Sequence, residues 1–221
     1  MTYTPACWFP CLVHILETKP NEKIKSYCLE ARTRNPEGEK KSNYGGGWQS
    51  LPYLYNDSWE STETGTVKSP HMTASSSEFT IREHLTSLIG QSVQTVVNGH
   101  VQLFNYWVNI NGPGAYNVPH NHPQSHFSGV YYVQCPENSG EIIFNNPFGF
   151  TAFDELSCYK DDFTEHMTQH KSISIAPVEG LLLMFPSHLE HCVSENRSDE
   201  DRISIAFNCH VVPTHEQQFY K

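Results

Sequence analysis

Three histidines lie close together near the middle of the 221-residue chain, within the segment "NVPHNHPQSHF". They are His120, His122 and His126. In a β-strand, side chains at positions i and i+2 point to the same face, so His120 and His122 could bind one metal ion together. His126 would share that face only in a regular strand, which Pro123 disfavours because proline cannot donate to a sheet ladder. The chain has thirteen histidines, so ordinary surface or core positions are an alternative explanation for the cluster.

A third ligand would have to come from a distant segment. The sequence "FPSHLEH" (185–191) offers His188 and His191 directly after an apolar run. Eleven residues beyond His191, Arg202 opens a further apolar run, "RISIAF". A guanidinium at the start of a buried strand requires a partner, because desolvating an unpaired charge is costly. These residues therefore indicate a metal ion and an anionic partner for Arg202, and a ligand that bears a carboxylate would satisfy the arginine.

The C-terminal half of the chain consists of short β-branched and aromatic runs separated by Gly, Pro, Asn and Ser. Examples are "HVQLFNYWVNI", "SGVYYVQ", "GLLLMF" and "RISIAF". This pattern is typical of an antiparallel sandwich or jelly roll. We predict a mainly β protein with one domain over residues 1–221, in which residues 101–221 form a double-stranded β-helix and residues 1–100 provide helical and irregular support.

Two short amphipathic helices are predicted before the β-rich half. Across residues 20–34 the apolar side chains recur at helical spacing, Asn21 is a suitable N-cap, and Asn35 is followed by proline as a stop signal. Across residues 75–90 a similar apolar stripe ends at Gly90, and glycine often terminates a helix. Residues 91–104 could equally extend this helix, or Asn98 and Gly99 could form a hairpin turn.

The segment 36–70 is rich in Gly, Ser, Asn, Pro and Trp, which predicts a long irregular region. Its aromatic residues include Trp48, Tyr53, Tyr55 and Trp59. Long loops often carry function, so these aromatics are candidates for a lid or a substrate wall. Simple surface packing explains them equally well.

Composition argues against several classes of partner and location. The formal net charge is −10 and Lys and Arg form no stripe, so a nucleic-acid partner is not expected. No apolar run approaches the roughly 20 residues of a membrane helix, and the N-terminal residues lack the basic start of a secretory signal. Seven cysteines without a C-x-x-C pair argue against a disulfide framework, and Cys7 and Cys11 are expected to be reduced thiols rather than metal ligands. We expect a cytoplasmic protein.

Four motifs follow one another along the chain: "HNHP" (120–123), "SGVYYV" (128–133), "FPSHLEH" (185–191) and "RISIAFN" (202–208). In this order they resemble the Fe(II)/2-oxoglutarate-dependent oxygenase superfamily. More narrowly, they resemble a group of bacterial and phage proteins that share H-x-H-P, S-G-V-Y-Y-V, F-P-S-x-x-x-H and R-I-S-I-A-F-N. The sequence "GGGWQS" (45–50) is a weaker match to the N-terminal part of that group.

The resemblance implies a role for six residues and a set of cofactors. It implies that Fe(II) is held by His120, His122 and His191, and that 2-oxoglutarate pairs with Arg202, Ser204 and the hydroxyl of Tyr132. For Tyr132, a packed core aromatic is the alternative. The implied activity is that of an O2-consuming dioxygenase that hydroxylates a small metabolite or a peptide side chain and releases succinate and CO2. The resemblance also implies a cytoplasmic protein that is encoded by a bacterium or a phage.

The sequence departs from the superfamily at position 122. The usual iron triad is two histidines and one carboxylate, whereas His122 stands at the carboxylate position. A bulge at Pro123 would allow His126 to replace His122, and Glu141 could approach from elsewhere. For the distal ligand we prefer His191 to His188, because His191 has the expected spacing to Arg202.

Two functions of other classes are also compatible with the sequence. One is a cupin-like protein whose three-histidine metal site uses no 2-oxoglutarate, although Arg202 and Ser204 argue against it. The other is a non-catalytic β-sandwich binding module in which the histidines are incidental. The identity of the substrate and the oligomeric state are left open, with a homodimer as one option.

Overall fold

The computed structural model of the protein describes residues 11–54, 81–93, 97, 99–148 and 171–212. These residues form a mainly β structure with antiparallel sheets and two helices, as predicted from the sequence. The elements are β1 (His14–Glu17), α1 (Glu22–Arg34), β2 (Asn43–Tyr44), β3 (Trp48–Gln49), β4 (Tyr53–Leu54), α2 (Ile81–Val93), β5 (His100–Asn111), β6 (Tyr116–His120), β7 (Phe127–Gln134), β8 (Ile142–Asn145), β9 (Ser172–Ile175), β10 (Leu181–Pro186), β11 (His191–Val193) and β12 (Arg202–Val212).

The strands form two sheets that pack face to face. The major sheet has seven strands in the order β1-β10-β7-β12-β5-β3, and β4 also pairs with β5. The minor sheet has five strands in the order β2-β6-β11-β8-β9. Neighbours in each sheet are mostly distant in sequence, which is the crossed connectivity of a double-stranded β-helix.

The central strands of the major sheet separate two apolar cores. In β7, Tyr131 and Val133 pack in a core with both helices, whereas Val130 and Tyr132 pack in a second core with strands of the minor sheet. Successive side chains of a strand point to opposite faces, so a continuous apolar run such as "GVYYV" serves both cores. The face of β7 that bears Val130 and Tyr132 is therefore the one that meets the minor sheet.

Helix α1 agrees with the sequence prediction. The side chain of Asn21 accepts a hydrogen bond from the backbone N–H of Lys23 at 3.1 Å, which caps the helix, and Ile24 and Cys28 are fully buried. The helix ends before Asn35, whose N–H bonds to the carbonyl oxygen of Ala31. The apolar stripe thus attaches α1 to the outer face of the major sheet.

The second helix does not end at Gly90 but extends beyond it, which is the second of the two possibilities that the sequence left open. Helix α2 continues through Gly90 to Val93, and the backbone of Gly90 does not adopt a positive φ. The apolar stripe formed by Leu85 and Ile89 extends to Val93, which is 2% exposed, so burial beyond the glycine outweighs its weak helix propensity. Residues 75–80 of the predicted helix lie outside the described residues.

The first hundred residues contribute more to the sheets than the sequence indicated. Strands β1 to β4 all lie before residue 100 and extend both sheets, so residue 100 is not the boundary of the β structure. Trp48 is 7% exposed and its indole N–H donates to the carbonyl oxygen of Asn35 at 2.9 Å. Tyr53 stacks on Tyr106 with ring centroids 4.9 Å apart. These two aromatics are packing residues rather than a lid, and Tyr55 and Trp59 lie outside the described residues.

The two described helices have 13 residues each, and neither has the length and apolar character that a membrane crossing needs. The five cysteines in the described part of the chain are free thiols. One of them is Cys11, which takes part in no metal-ligand cluster among the described residues, whereas Cys7 lies outside them.

The substitution Gly129→Ala tests how tightly β7 is packed, and Gly90→Ala in helix α2 is its control. A Cβ at Gly129 would clash with the ring of Phe207 and the carbonyl oxygen of Leu183 on the two flanking strands, whereas a Cβ at Gly90 would meet nothing within 4 Å. We expect Gly129→Ala to lower the free energy of unfolding by about 1–3 kcal/mol, the usual cost of overpacking. Gly90→Ala should raise it by about 0.5–1 kcal/mol, because alanine is the better helix former. Urea denaturation measures both, and equal effects of the two substitutions would contradict the packing described for β7.

Candidate metal centre

The minor sheet brings two of the predicted ligands directly opposite each other. His120 is the last residue of β6 and His191 is the first of β11, and the two are partners across the antiparallel pair. Opposed residues in such a pair have their Cβ atoms about 5 Å apart, and the two ring centroids lie 4.4 Å apart. Sheet register alone therefore places these imidazoles side by side.

The third histidine of the cluster, His122, lies beyond the end of β6. The expectation that His120 and His122 share one strand face is therefore wrong in its local detail, because the strand stops at His120. The ring of His122 is nevertheless 5.0 Å from that of His120 and 5.2 Å from that of His191. One ligand nitrogen from each of the three residues lies within 4.8 Å of the others, which is close enough to hold one metal ion.

Hydrogen bonds orient two of the three rings. The Nδ1 atom of His120 lies 2.8 Å from the carbonyl oxygen of Val118, and the Nδ1 atom of His191 lies 2.9 Å from that of Leu189. A carbonyl oxygen can only accept, so Nδ1 carries the proton in both rings. The lone pair of each Nε2 is then free for a metal, as in most protein histidine ligands.

The cluster is electrically neutral near neutral pH. The pKa of His122 is lowered to about 3, first by burial and then by the neighbouring His191 and His120. Burial likewise lowers the pKa of His191 to about 4, and it lowers that of His120. A neutral imidazole is the form that binds metals, so the ligand nitrogens need not release a proton first.

The other candidate ligands lie elsewhere. The backbone N–H of His126 donates to the carbonyl oxygen of Cys209 at 3.0 Å, and its Nδ1 accepts from the N–H of Val211 at 3.0 Å, so His126 fixes a turn. His188 and Glu141 are both exposed. Within the described residues, the cluster therefore consists of three imidazoles and contains no carboxylate.

The three histidines line a cavity between the two sheets. Alternate residues of the central strands complete its wall on the major-sheet side. These are Trp107 and Asn109 of β5, Val130 and Tyr132 of β7, and Arg202, Ser204 and Ala206 of β12. The residues that the motifs predicted for a carboxylate ligand thus line the same cavity as the predicted metal ligands.

Arg202 is a buried cation in the wall of this cavity. It is 3% exposed, and its Nη1 donates to the carbonyl oxygens of Ser139 and Gly140 at 2.6 and 3.4 Å. No carboxylate of the described residues forms an ion pair with it. Burial lowers the pKa of the guanidinium, although the group stays charged at neutral pH. The cavity therefore offers one uncompensated positive charge.

Two hydroxyl groups accompany Arg202. Ser204 and Tyr132 are cross-strand partners on β12 and β7, and they are 7% and 2% exposed. Burial raises the pKa of the Tyr132 phenol, so it remains a neutral hydrogen-bond donor. The surroundings suit a carboxylate, which accepts bonds from a guanidinium and from hydroxyl groups.

Sequence reasoning missed the polar residues that complete the cavity. They are Asn109 on β5, Asn117 on β6 and Ser42 just before β2. The Nδ2 of Asn117 donates to the hydroxyl of Ser42 at 3.3 Å, and the Oδ1 of Asn109 is buried without a partner among the described residues. The alternation in "NYWVNIN" places Trp107 and Asn109 on one face, but only the fold shows that this face meets the histidines.

Residues 105–208 match the sequence family described as "Putative 2OG-Fe(II) oxygenase", which is slightly less than half of the chain. The matched stretch begins in β5, ends in β12 and contains the three histidines, Tyr132, Arg202 and Ser204. The match supports the superfamily and, with it, an oxidoreductase that depends on 2-oxoglutarate and Fe(II). The three-histidine cluster has the donors to hold that metal. The narrower group defined by the four motifs stays a prediction.

Solved structures share the fold at low sequence identity. A Pseudomonas putida prolyl-4-hydroxylase has a TM-score of 0.50 at 13% identity, with 86% of this chain and 85% of that chain covered. The non-haem alpha-ketoglutarate-dependent epimerase SnoN from nogalamycin biosynthesis has a TM-score of 0.53 at 14% identity, covering 90% of this chain and 75% of the other. The carbocyclase SnoK of the same biosynthesis has 0.51 at 10% identity, covering 85% and 73%. No curated protein matches the sequence. The structural likeness establishes the double-stranded β-helix fold.

The low pKa values predict how the metal-free protein responds to acid. Histidine in the unfolded chain titrates near pH 6.5, whereas His122 and His191 take up protons only near pH 3 and 4 in the folded state. Between these values the unfolded state binds more protons, so stability falls as the pH falls, by about 1.4 kcal/mol per pH unit for each such histidine. In the presence of a chelator, His122→Gln should therefore reduce the loss of unfolding free energy between pH 7.5 and pH 5.0 by about 2 kcal/mol. Urea denaturation at the two pH values measures this.

The exposed His188 supplies the matched control for the acid response. His188→Gln should leave the pH dependence of the metal-free protein unchanged, because His188 is exposed and lies outside the histidine cluster. Equal pH dependence of the His122→Gln and His188→Gln variants would contradict the burial described for His122.

Proposed function

We propose that the protein is a single-domain Fe(II)- and 2-oxoglutarate-dependent dioxygenase over residues 1–221. Its substrate would be a small metabolite or a peptide side chain, hydroxylated with release of succinate and CO2. One observation carries the proposal: the buried Arg202, which has no carboxylate partner among the described residues, lines the same cavity as the three-histidine cluster. An incidental group of histidines would not explain a buried cation beside it.

The donor set fits the metal. In the proposal, His120, His122 and His191 bind Fe(II) through neutral imidazole nitrogens, a ligand type that suits iron. Three neutral ligands leave the charge of the metal uncompensated, one unit more positive than a site with two histidines and one carboxylate. A doubly charged anion such as 2-oxoglutarate would neutralise it, so the substitution of histidine for the usual carboxylate is chemically tolerable.

The major-sheet side of the cavity suits the far carboxylate of 2-oxoglutarate. Arg202 would pair with this carboxylate, while the hydroxyls of Ser204 and Tyr132 would donate hydrogen bonds to it. The carbonyl oxygens of Ser139 and Gly140 hold the guanidinium in place before the cosubstrate arrives. This arrangement would fix the cosubstrate at one end and direct its keto acid end toward the histidines.

When bound, iron and 2-oxoglutarate supply the oxidative chemistry, in which O2 is consumed and an unactivated C–H bond becomes hydroxylated. The protein would contribute position and exclusion of water. Ile142, Phe185 and Val193 form apolar walls around the histidines, and such walls strengthen the charge interactions inside the cavity. No protein side chain is required as a general base.

The cavity lining favours a substrate without strong charge. Besides Arg202 and the neutral histidines, the lining residues in the described part are uncharged, and the polar ones include Trp107, Asn109 and Asn117. The formal net charge of −10 disfavours a nucleic-acid substrate. The free thiols of the described residues support a reducing, cytoplasmic location. For the assembly we propose a homodimer.

A cupin-like metal protein that uses no 2-oxoglutarate is the second candidate. The observation that favours it is the absence of a carboxylate from the described histidine cluster. Arg202, Ser204 and Tyr132 weigh against it, because such a protein would have no use for a carboxylate site in the same cavity.

Metal titration tests the proposed ligands. Co(II), an air-stable substitute for Fe(II), should bind with one equivalent to the unmodified protein. Alanine at His120, His122 or His191 removes a metal ligand and should weaken Co(II) binding by more than about 100-fold. Loss of a residue that only hydrogen-bonds to a ligand usually costs about 10–100-fold. His122→Asp, which restores the usual two-histidine, one-carboxylate set, should keep one equivalent of Co(II). His188→Ala is the control, and a comparable loss in that variant would contradict the assignment.

Cosubstrate binding tests the function itself. Adding 2-oxoglutarate to the anaerobic Fe(II) protein should produce a visible charge-transfer band. Arg202→Lys should retain the metal and weaken 2-oxoglutarate binding by about 10–100-fold, because lysine cannot form the two parallel hydrogen bonds of a guanidinium. The exposed Arg197 provides the control variant Arg197→Lys, which should bind as the unmodified protein does. Iron binding without a band would support the cupin-like alternative, and no iron binding would support a binding module.

A further inference from the structure

Three buried polar residues of the motifs have no role in the proposed metal and cosubstrate sites. They are Ser128 at the start of "SGVYYV", Ser187 in "FPS" and Asn208 at the end of "RISIAFN". Their exposures are 1%, 1% and 8%. Burying hydroxyl and amide groups is unfavourable unless they are hydrogen-bonded, so their presence in the packed sheet calls for a physical explanation.

The three residues form one hydrogen-bonded chain. The hydroxyls of Ser128 and Ser187 lie 2.7 Å apart, and the hydroxyl of Ser128 donates to the Oδ1 of Asn208 at 2.8 Å. Since Ser128 has only one proton to donate, the hydroxyl of Ser187 must be the donor to Ser128. The Nδ2 of Asn208 in turn donates to the Oδ1 of Asn105 at 3.0 Å. The chain therefore runs across β5, β12 and β7 to the residue that follows β10.

The backbone of Ser187 holds the loop that carries His122. The carbonyl oxygen of Ser187 accepts from the N–H of His122 at 2.9 Å, and the N–H of Ser187 donates to the carbonyl oxygen of His126 at 3.1 Å. Because β6 ends at His120, His122 has no partner strand to fix it. The contact with Ser187 replaces the missing sheet ladder.

The three histidines are therefore held from two different sheets. His120 and His191 face each other across β6 and β11 of the minor sheet. His122 is tied to Ser187, which follows β10 of the major sheet.

We propose that Ser128, Ser187 and Asn208 are positioning residues, whose hydrogen-bonded chain fixes the backbone of Ser187 and thereby sets the place of His122 beside His120 and His191. The inference rests on the metal site of the proposed function and adds a role for residues that touch neither metal nor cosubstrate. Outer-shell hydrogen bonds of this kind orient metal ligands, and their loss usually costs 10–100-fold in metal affinity.

The test uses Cu(II), the tightest-binding divalent ion of its series, so that a site with two histidines remains measurable. Affinity is measured by titration, and electron paramagnetic resonance counts the coordinated imidazole nitrogens. We expect three nitrogens in the unmodified protein. Ser187→Ala and Ser128→Ala should weaken binding by roughly 10-fold and lower the nitrogen count toward two.

A double substitution separates positioning from general damage. In a His122→Ala background, which leaves two nitrogens, Ser187→Ala should change the affinity by less than about 2-fold, because its effect acts through His122. The matched control is Ser50→Ala, which removes a buried serine hydroxyl that accepts from the N–H of Val108 at 3.0 Å; neither of these two residues lines the cavity. It should lower the free energy of unfolding and leave the Cu(II) spectrum unchanged.

Several results would overturn the inference. One is a Ser187→Ala variant that loses stability as Ser50→Ala does but keeps three nitrogens and full affinity. Another is a further loss of affinity in the His122→Ala background, because the effect would then run through another ligand. Three nitrogens without any binding of 2-oxoglutarate would refute the proposed function and leave the positioning role intact, whereas failure of the unmodified protein to bind Cu(II) through three nitrogens would refute both.

Discussion

The pleat of the central strands β7 and β12 is the constraint on which the rest of the structure depends. Because side chains alternate between the two faces, each strand supplies one set of residues to the helix-covered core and another to the cavity. Arg202 and Ser204 face the cavity, while Ile203 and Ile205 are buried in the core beneath α1 and α2. A shift of the register by one residue would exchange these sets and place the arginine in an apolar core.

Charge gives the cavity its chemical character. The lining in the described part combines a buried guanidinium with three imidazoles that burial keeps neutral. Within the described residues, the guanidinium is balanced by the dipoles of the Ser139 and Gly140 carbonyl groups and by no carboxylate. The described lining of the cavity therefore carries a positive charge inside a protein whose overall charge is negative, an arrangement that favours an anionic ligand at this one place.

The residues that line the cavity could largely be predicted from the sequence, because they belong to short motifs whose order along the chain is characteristic. The motif residues His120, His122, His191 and Arg202 do line one cavity. Local rules also succeeded for α1, where a cap and an apolar stripe are contiguous in sequence. What failed depended on contacts between distant segments. Strands β1 to β4 are too short to show a pattern, and the end of α2 is decided by tertiary burial of Val93 rather than by Gly90.

The location of His122 outside any strand has an evolutionary consequence. A substitution at His120 or His191 changes a residue in the β6–β11 pair, where side-chain bulk and sheet pairing are coupled. At position 122 the hydrogen bond that holds the loop comes from the backbone N–H, which every residue except proline provides, while the side chain contacts the rings of Trp107, His120 and His191 and is paired with no strand. One point mutation can therefore exchange an imidazole for a carboxylate without disturbing the sheets. The fold thus leaves the charge of the candidate metal site open to change while the frame around it stays fixed.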